Sequence, residues 1–131
     1  MYAHREDADR HEAYRDWLLR AVDDEQPYGV SDLVLSGFLR VVTHPRVFMQ
    51  PTPLAQALAF CNALRSNGTP IEPGRRHWQI FKRLCTDVGA RGNVIPDAFL
   101  AAIAIESNSE WITTDRGFRR FPRLRVRHPL D

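Results

Sequence analysis

The stretch IPDAFLAAIAIES constrains the fold more than any other part of the chain. From about Pro96 to Ser107 it reads as a helix apolar nearly all round, and such a helix must be the buried one that other elements cover. Its apolar core, AFLAAIAI, is far too short to span a bilayer. The segment EWITT that follows is short, aromatic and β-branched, which predicts a buried strand. Being apolar on both faces, that strand is expected to be central, with Trp111 and Ile112 covered by helices on each side. LRVRH alternates like an edge strand.

The upstream sequence can be divided by the same periods. Asp9 and Glu12 stand at capping-box spacing before a helix reaching about Asp24, with Tyr14, Trp17, Leu18, Ala21 and Val22 as its buried stripe. PYGVSD predicts a short strand, and Asp32 is then expected to cap a helix from about Leu33 to Thr43. HPRVF breaks that helix. Thr52 as cap and Pro53 at the first position open a third one, which carries Leu54, Ala57, Leu58, Cys61 and Leu64 on its apolar face and ends at Gly68. TPIEPG is a very short strand or a turn. Trp78, Phe81, Leu84, Cys85 and Val88 define a fourth amphipathic helix closed by Gly89. Helices alternating with strands argue an α/β layer fold with a largely parallel sheet. At 131 residues this is the length of a single domain.

The opening MYAHREDADRHE is polar, with no charged-then-apolar leader, so a cytoplasmic protein is expected. Cys61 and Cys85 lie on apolar helical faces and read as small buried hydrophobes of a reducing compartment. His4, His11, His44 and His77 have no metal-ligand spacing and read as surface or core residues. Net charge is only +2, yet seventeen of the eighteen cationic residues are arginine, and six crowd into RGFRRFPRLRVR. Arginine forks match phosphate geometry. A charge-protected edge strand accounts for the same residues, and charge alone does not choose.

Two carboxylates stand where apolar segments begin or end. Asp97 follows Pro96, where a helix start favours an acid; Asp115 follows the EWITT strand, where an Asp turn is an ordinary account. In parallel α/β sheets, however, strand carboxyl ends and helix amino ends meet at one ligand crevice. There the two can converge, and paired carboxylates repel unless a divalent cation joins them. Mg²⁺ is commonly held by one or two carboxylates with waters and a phosphate. Thr113 and Thr114 precede Asp115, and a hydroxyl there can touch phosphate or simply pack in the strand. Arg116 can clamp a phosphate or lie on the surface. No G-x-S-x-G elbow or glycine-rich phosphate loop is present.

NVIPDAFLAAIAIESNSEWITTDRGFRRF resembles the C-terminal half of a PIN domain, in which an Asp opens the penultimate helix as DAxLAALA and another ends the next strand as TxDxxF. LVLSGFLRVVTHPRVF and YAHREDADRHEAYRDWL are similar to bacterial toxins of the VapC type, especially the mycobacterial set. The resemblance covers essentially the whole chain. It implies a PIN-like three-layer α/β/α sandwich with a central mostly parallel sheet, as a single domain over residues 1–131. It further implies a Mg²⁺- or Mn²⁺-dependent endoribonuclease toxin that cuts structured RNA such as tRNA or rRNA and is neutralised by a VapB-type antitoxin. Asp97 and Asp115 then become the catalytic metal-site acids, with Thr114 and Arg116 as RNA-binding candidates. Surplus apolar surface on the third and fourth helices is expected to form a homodimer interface or an antitoxin groove. No membrane partner is expected.

The sequence departs from the family pattern at two points. PIN domains open with a strand ending in Asp, of the form LLDTNVLLYAH. This chain begins at the YAH, so that strand and its ligand are expected to be missing and Met1 reads as an internal start. Gly37 stands where many PIN domains place a Glu, although some mycobacterial relatives also read GFLR. A degenerate PIN domain that holds RNA or an antitoxin peptide without cutting is the alternative reading, and a metal-dependent DNA nuclease is a third.

Overall fold

The computed structural model describes residues 1–24 and 27–131. The chain divides into two compact units, Met1–Pro70 with Leu130 and Ile71–Pro129 with Asp131.

In the first unit, helix α1 (His11–Asp23) precedes strand β1 (Gly29–Val30). Helices α2 (Asp32–Val42) and α3 (Leu54–Asn67) follow, and then strand β2 (Thr69–Pro70). The strands pair in parallel, Gly29 opposite Thr69, as the α/β reading requires. Leu35 and Val42 of α2 and Ala57 and Cys61 of α3 are buried, so the expected α3 face is correct at its two smallest positions. Leu54 and Leu58 of that face are instead exposed. The α1 stripe has the expected phase but less depth: Tyr14, Trp17, Leu18, Ala21 and Val22 are half-buried, and no residue of the helix is fully buried. Tyr28 locks the α3–β2 corner, its hydroxyl donating to the Leu64 carbonyl at 2.8 Å while its ring occupies the space a Cβ on Gly68 would need.

The expected helix caps in this unit are corrected. Arg10, in the left-handed region at φ 54°, precedes α1 and makes no side-chain cap bond, so Asp9 and Glu12 form no capping box. Asp32 is the first helical residue rather than the cap, and its carboxylate pairs with Arg65 at 2.8 Å. Pro53, not Thr52, occupies the cap position of α3. Thr52 is buried, and its hydroxyl accepts from Arg5 at 3.2 Å.

The second unit contains helices α4 (His77–Val88) and α5 (Val94–Glu106) and strand β3 (Trp111–Ile112). A single 3-10 turn, η1 (Arg116–Arg120), and strand β4 (Val126–Arg127) complete it. α4 ends as its sequence predicts, with Gly89 left-handed at φ 60°. The core is Leu84, Ala98, Ala101, Ala102, Phe118 and Phe121. Three alanines on one face let α4 and η1 approach the α5 backbone, and the bulk comes from the phenylalanines and Leu84. α5 is the buried helix expected, but it starts at Val94, two residues before Pro96.

β3 pairs in parallel with β4, Trp111 opposite Val126. The expectation that EWITT is a central strand is corrected: β3 has β4 as its single partner among the described residues, and Trp111 and Ile112 are only half-buried. LRVRH is the second strand of this pair. Both strand pairs among the described residues are parallel and two-stranded. No helix among the described residues is long and apolar enough to cross a membrane.

Candidate active site

Asp97 stands in the first turn of α5, where its charge suits the amino end of the helix. Because the helix begins at Val94, Asp97 is not the cap, so its carboxylate is not committed to covering the first N–H groups. Asp97 is half-buried.

Asp115 leaves β3 and caps the 3-10 turn: its Oδ1 accepts the Gly117 N–H at 2.8 Å. The Asp115 N–H in turn donates to the Thr113 hydroxyl at 3.1 Å. Two short bonds thus set the backbone and the carboxylate of an otherwise exposed residue. The Asp turn anticipated from the sequence is therefore present, and it orients the acid.

The structure brings the two acids together electrostatically. Burial pushes the Asp97 carboxyl above its usual range, the Asp115 charge pushes it further, and Arg120 partly opposes the rise. That is the signature of paired carboxylates in a partly dried site. Among the described residues, no group of three or more His, Cys, Asp or Glu side chains could hold a metal. Asp97 and Asp115 by themselves are hard oxygen donors of the kind that Mg²⁺ takes together with water and phosphate oxygens.

Of the other predicted site residues, Thr114 and Arg116 are exposed beside Asp115. Asp32 belongs to the other unit and is ion-paired there. Gly37 sits mid-helix in α2 with no atom within 4 Å of where its Cβ would be. His77 is a core residue, its Nε2 2.9 Å from the Phe99 carbonyl oxygen.

Sequence reasoning missed Arg120. It ends η1, and its Nε–H donates to the Gly117 carbonyl at 2.8 Å. The signal available was its place in RGFRRF, but only the 3-10 turn, three residues per turn, folds it back toward Asp115.

The chain matches the PIN domain family model over residues 1–124. It is 50% identical over 133 aligned residues to VapC ribonuclease Mb2897 of Mycobacterium bovis, with 100% of this chain and 90% of that protein covered. Ribonuclease VapC31 of Mycobacterium tuberculosis is 40% identical over 133 aligned residues, covering 99% of this chain and 94% of the relative. Among solved structures, the crystal structure of VapBC2 from Rickettsia felis bound to a DNA fragment from their promoter matches with a TM-score of 0.68. It covers 97% of this chain and 90% of that one at 21% identity, a likeness of fold.

Proposed function

The chain belongs to the PIN-domain family, and from that premise we propose that it is a metal-dependent endoribonuclease, the toxin of a type II toxin–antitoxin pair. The observation that carries this reading is the Asp97–Asp115 pair: Asp97 in the first turn of a helix, its carboxyl raised by burial and by the charge of Asp115, which caps the turn that follows a strand. Full-length likeness to proteins named VapC ribonucleases supports RNA as the substrate class.

Asp97 and Asp115 would hold Mg²⁺ or Mn²⁺. The chemistry such an ion supplies when bound is removal of the acids' repulsion and withdrawal of charge from the phosphodiester. The chain's own part is positional. Gly117 N–H and Thr113 fix Asp115, and the helix start fixes Asp97. Partial burial of Asp97 lowers the dielectric around it, which strengthens that carboxylate's pull on a cation. Thr114 and Arg116, exposed next to Asp115, would contact the RNA backbone. The tRNA or rRNA preference, the VapB-type antitoxin and the cytoplasmic location belong to the same reading. So does a homodimer or antitoxin face that includes exposed Leu54 and Leu58 of α3.

The test is cleavage of labelled tRNA and rRNA fragments with Mg²⁺, with Mn²⁺ and with EDTA. Cleavage should require metal, and either Asp97→Asn or Asp115→Asn should lower it by on the order of a hundredfold or more. Unchanged cleavage by the double variant would falsify the mechanism. RNA held tightly without cutting under all three conditions would instead make the chain a degenerate binding module.

A further inference from the structure

Seventeen arginines cannot all be functional, and the structure separates those of the C-terminal cluster. Arg127 pairs with Glu110 at 3.1 Å, Arg123 faces Asp87 at 3.9 Å, and Arg125 donates to the Asn108 carbonyl at 2.8 Å. Arg120 differs from these three. Its Nε–H is spent on the Gly117 carbonyl in its own turn, which fixes the plane of the guanidinium and leaves its two terminal amino groups as a preset fork.

Gly117 shows where that fork lies. A Cβ built on Gly117 would stand 3.0 Å from an Arg120 terminal nitrogen and 2.9 Å from Asp115 Oδ1. The place of a Gly117 side chain is therefore taken by both a guanidinium and a site carboxylate, and even a methyl group there would displace them. Gly117 has no left-handed φ to explain it, so its bareness serves this close approach.

We infer that Arg120 is the residue that grips the RNA phosphate beside the acid pair, and that Gly117 is bare to seat it there. The inference rests on the ribonuclease reading. Two carboxylates repel a polyanion as it arrives. A guanidinium already immobilised next to them offers paired N–H bonds to a phosphate oxygen pair and has little rotamer freedom left to lose. The effect of Arg120 on Asp97 agrees with that placement.

The experiment measures binding of a fluorescently labelled single-stranded RNA by anisotropy in EDTA, across a salt series. Arg120→Gln should weaken binding roughly tenfold at low salt. It should also reduce the slope of log affinity against log salt by about 0.7, one phosphate contact on single-stranded RNA. Arg120→Lys should keep the slope while recovering part of the affinity, and Gly117→Ala should act in the direction of Arg120→Gln. Arg83→Gln, an equal charge change on α4, should leave the slope as it was. A purely structural Arg120 would alter the melting temperature and leave the slope alone. The parent's slope in Arg120→Gln, an equal drop in Arg83→Gln, or no RNA binding by the parent would each overturn the inference. If Arg120→Gln does not fold, the parent's slope in Gly117→Ala overturns it. Because no metal is present, binding as expected without any cleavage on adding Mg²⁺ would sink the nuclease reading alone. Cleavage with an unaltered Arg120→Gln slope would sink this one alone.

Discussion

Asp97 carries a cost in the metal-free chain. Its carboxyl is held above the usual range, so the folded state binds its proton more tightly than the unfolded state does. Between the unfolded and folded values stability therefore falls as pH rises, and the penalty is complete above the folded one. Asp97→Asn removes that penalty, so in EDTA at neutral pH it should melt no lower than the parent. The gap should close as the pH is brought down through the raised pKa. Thermal melts of both proteins from pH 4 to pH 8 would check this, and a variant clearly less stable at pH 7 would contradict it. A residue that destabilises the empty protein and proves necessary for cleavage would be there for function. That Asp97 and Asp115 act on one another was legible in the sequence, because each borders a strongly apolar segment. Arg120 was not legible, because nothing in RGFRRF says which arginine a 3-10 turn will fold back.

Elements held by backbone chemistry were easier to foresee than those held by side-chain caps. Gly89 ends α4 because a left-handed residue is needed there. Thr52, Asp9 and Asp32 are acceptable caps by type, yet none caps its helix: Thr52 turns inward to Arg5 and Asp32 pairs with Arg65. The strand EWITT was over-read: β-branched, aromatic composition reports burial potential but not how many neighbours a strand has. One contact invisible to pattern is made by Glu106, at the end of α5 where its charge opposes the helix dipole. Burial favours protonation of its carboxyl, but the Gly74 and Arg76 N–H groups at 2.7 and 2.8 Å outweigh this and hold its pKa below the usual range. Glu106→Gln should cost about 1 kcal/mol near neutral pH, allowing for solvent screening. The difference should shrink as the pH falls through the lowered pKa, since the parent loses the contribution there. Urea titrations at pH 7 and pH 3.5 would show it. Gly37 offers the opposite change. With open space around its Cβ position in mid-α2, Gly37→Glu should stabilise by about 0.5–1 kcal/mol through helix propensity alone. A lower melting temperature would show a clash that the space around Gly37 does not indicate.

For the whole molecule, ion binding and folding are linked if the acid pair is the metal site. A ligand at a hundredfold its Kd adds about 2.7 kcal/mol to a folded state that alone binds it. Mg²⁺ or Mn²⁺ at such excess should therefore raise the melting temperature by roughly 5–15 °C. Asp97→Asn and Asp115→Asn should each abolish most of that rise. Calorimetry with and without EDTA reads this independently of cleavage, and an equal rise in the double variant would place the ion elsewhere. Family and α/β class were readable from the sequence at this scale because the motif pair and the alternation of elements are both local in the chain. The boundary between the two compact units near Pro70 falls in SNGTPIEPG, a stretch dense in Gly and Pro whose TPIEPG part reads equally well as a very short strand or a turn.

The two thiols give the molecule a built-in pair of clocks. Cys61 lies in the Met1–Pro70 unit and Cys85 in the Ile71–Pro129 unit, one reporter in each. Burial raises the pKa of both, which keeps the reactive thiolate scarce while the helices stay packed, more completely around buried Cys61 than around half-buried Cys85. The rates at which a thiol reagent reaches each cysteine therefore time the local openings of the two units separately, in one sample and without any engineered label.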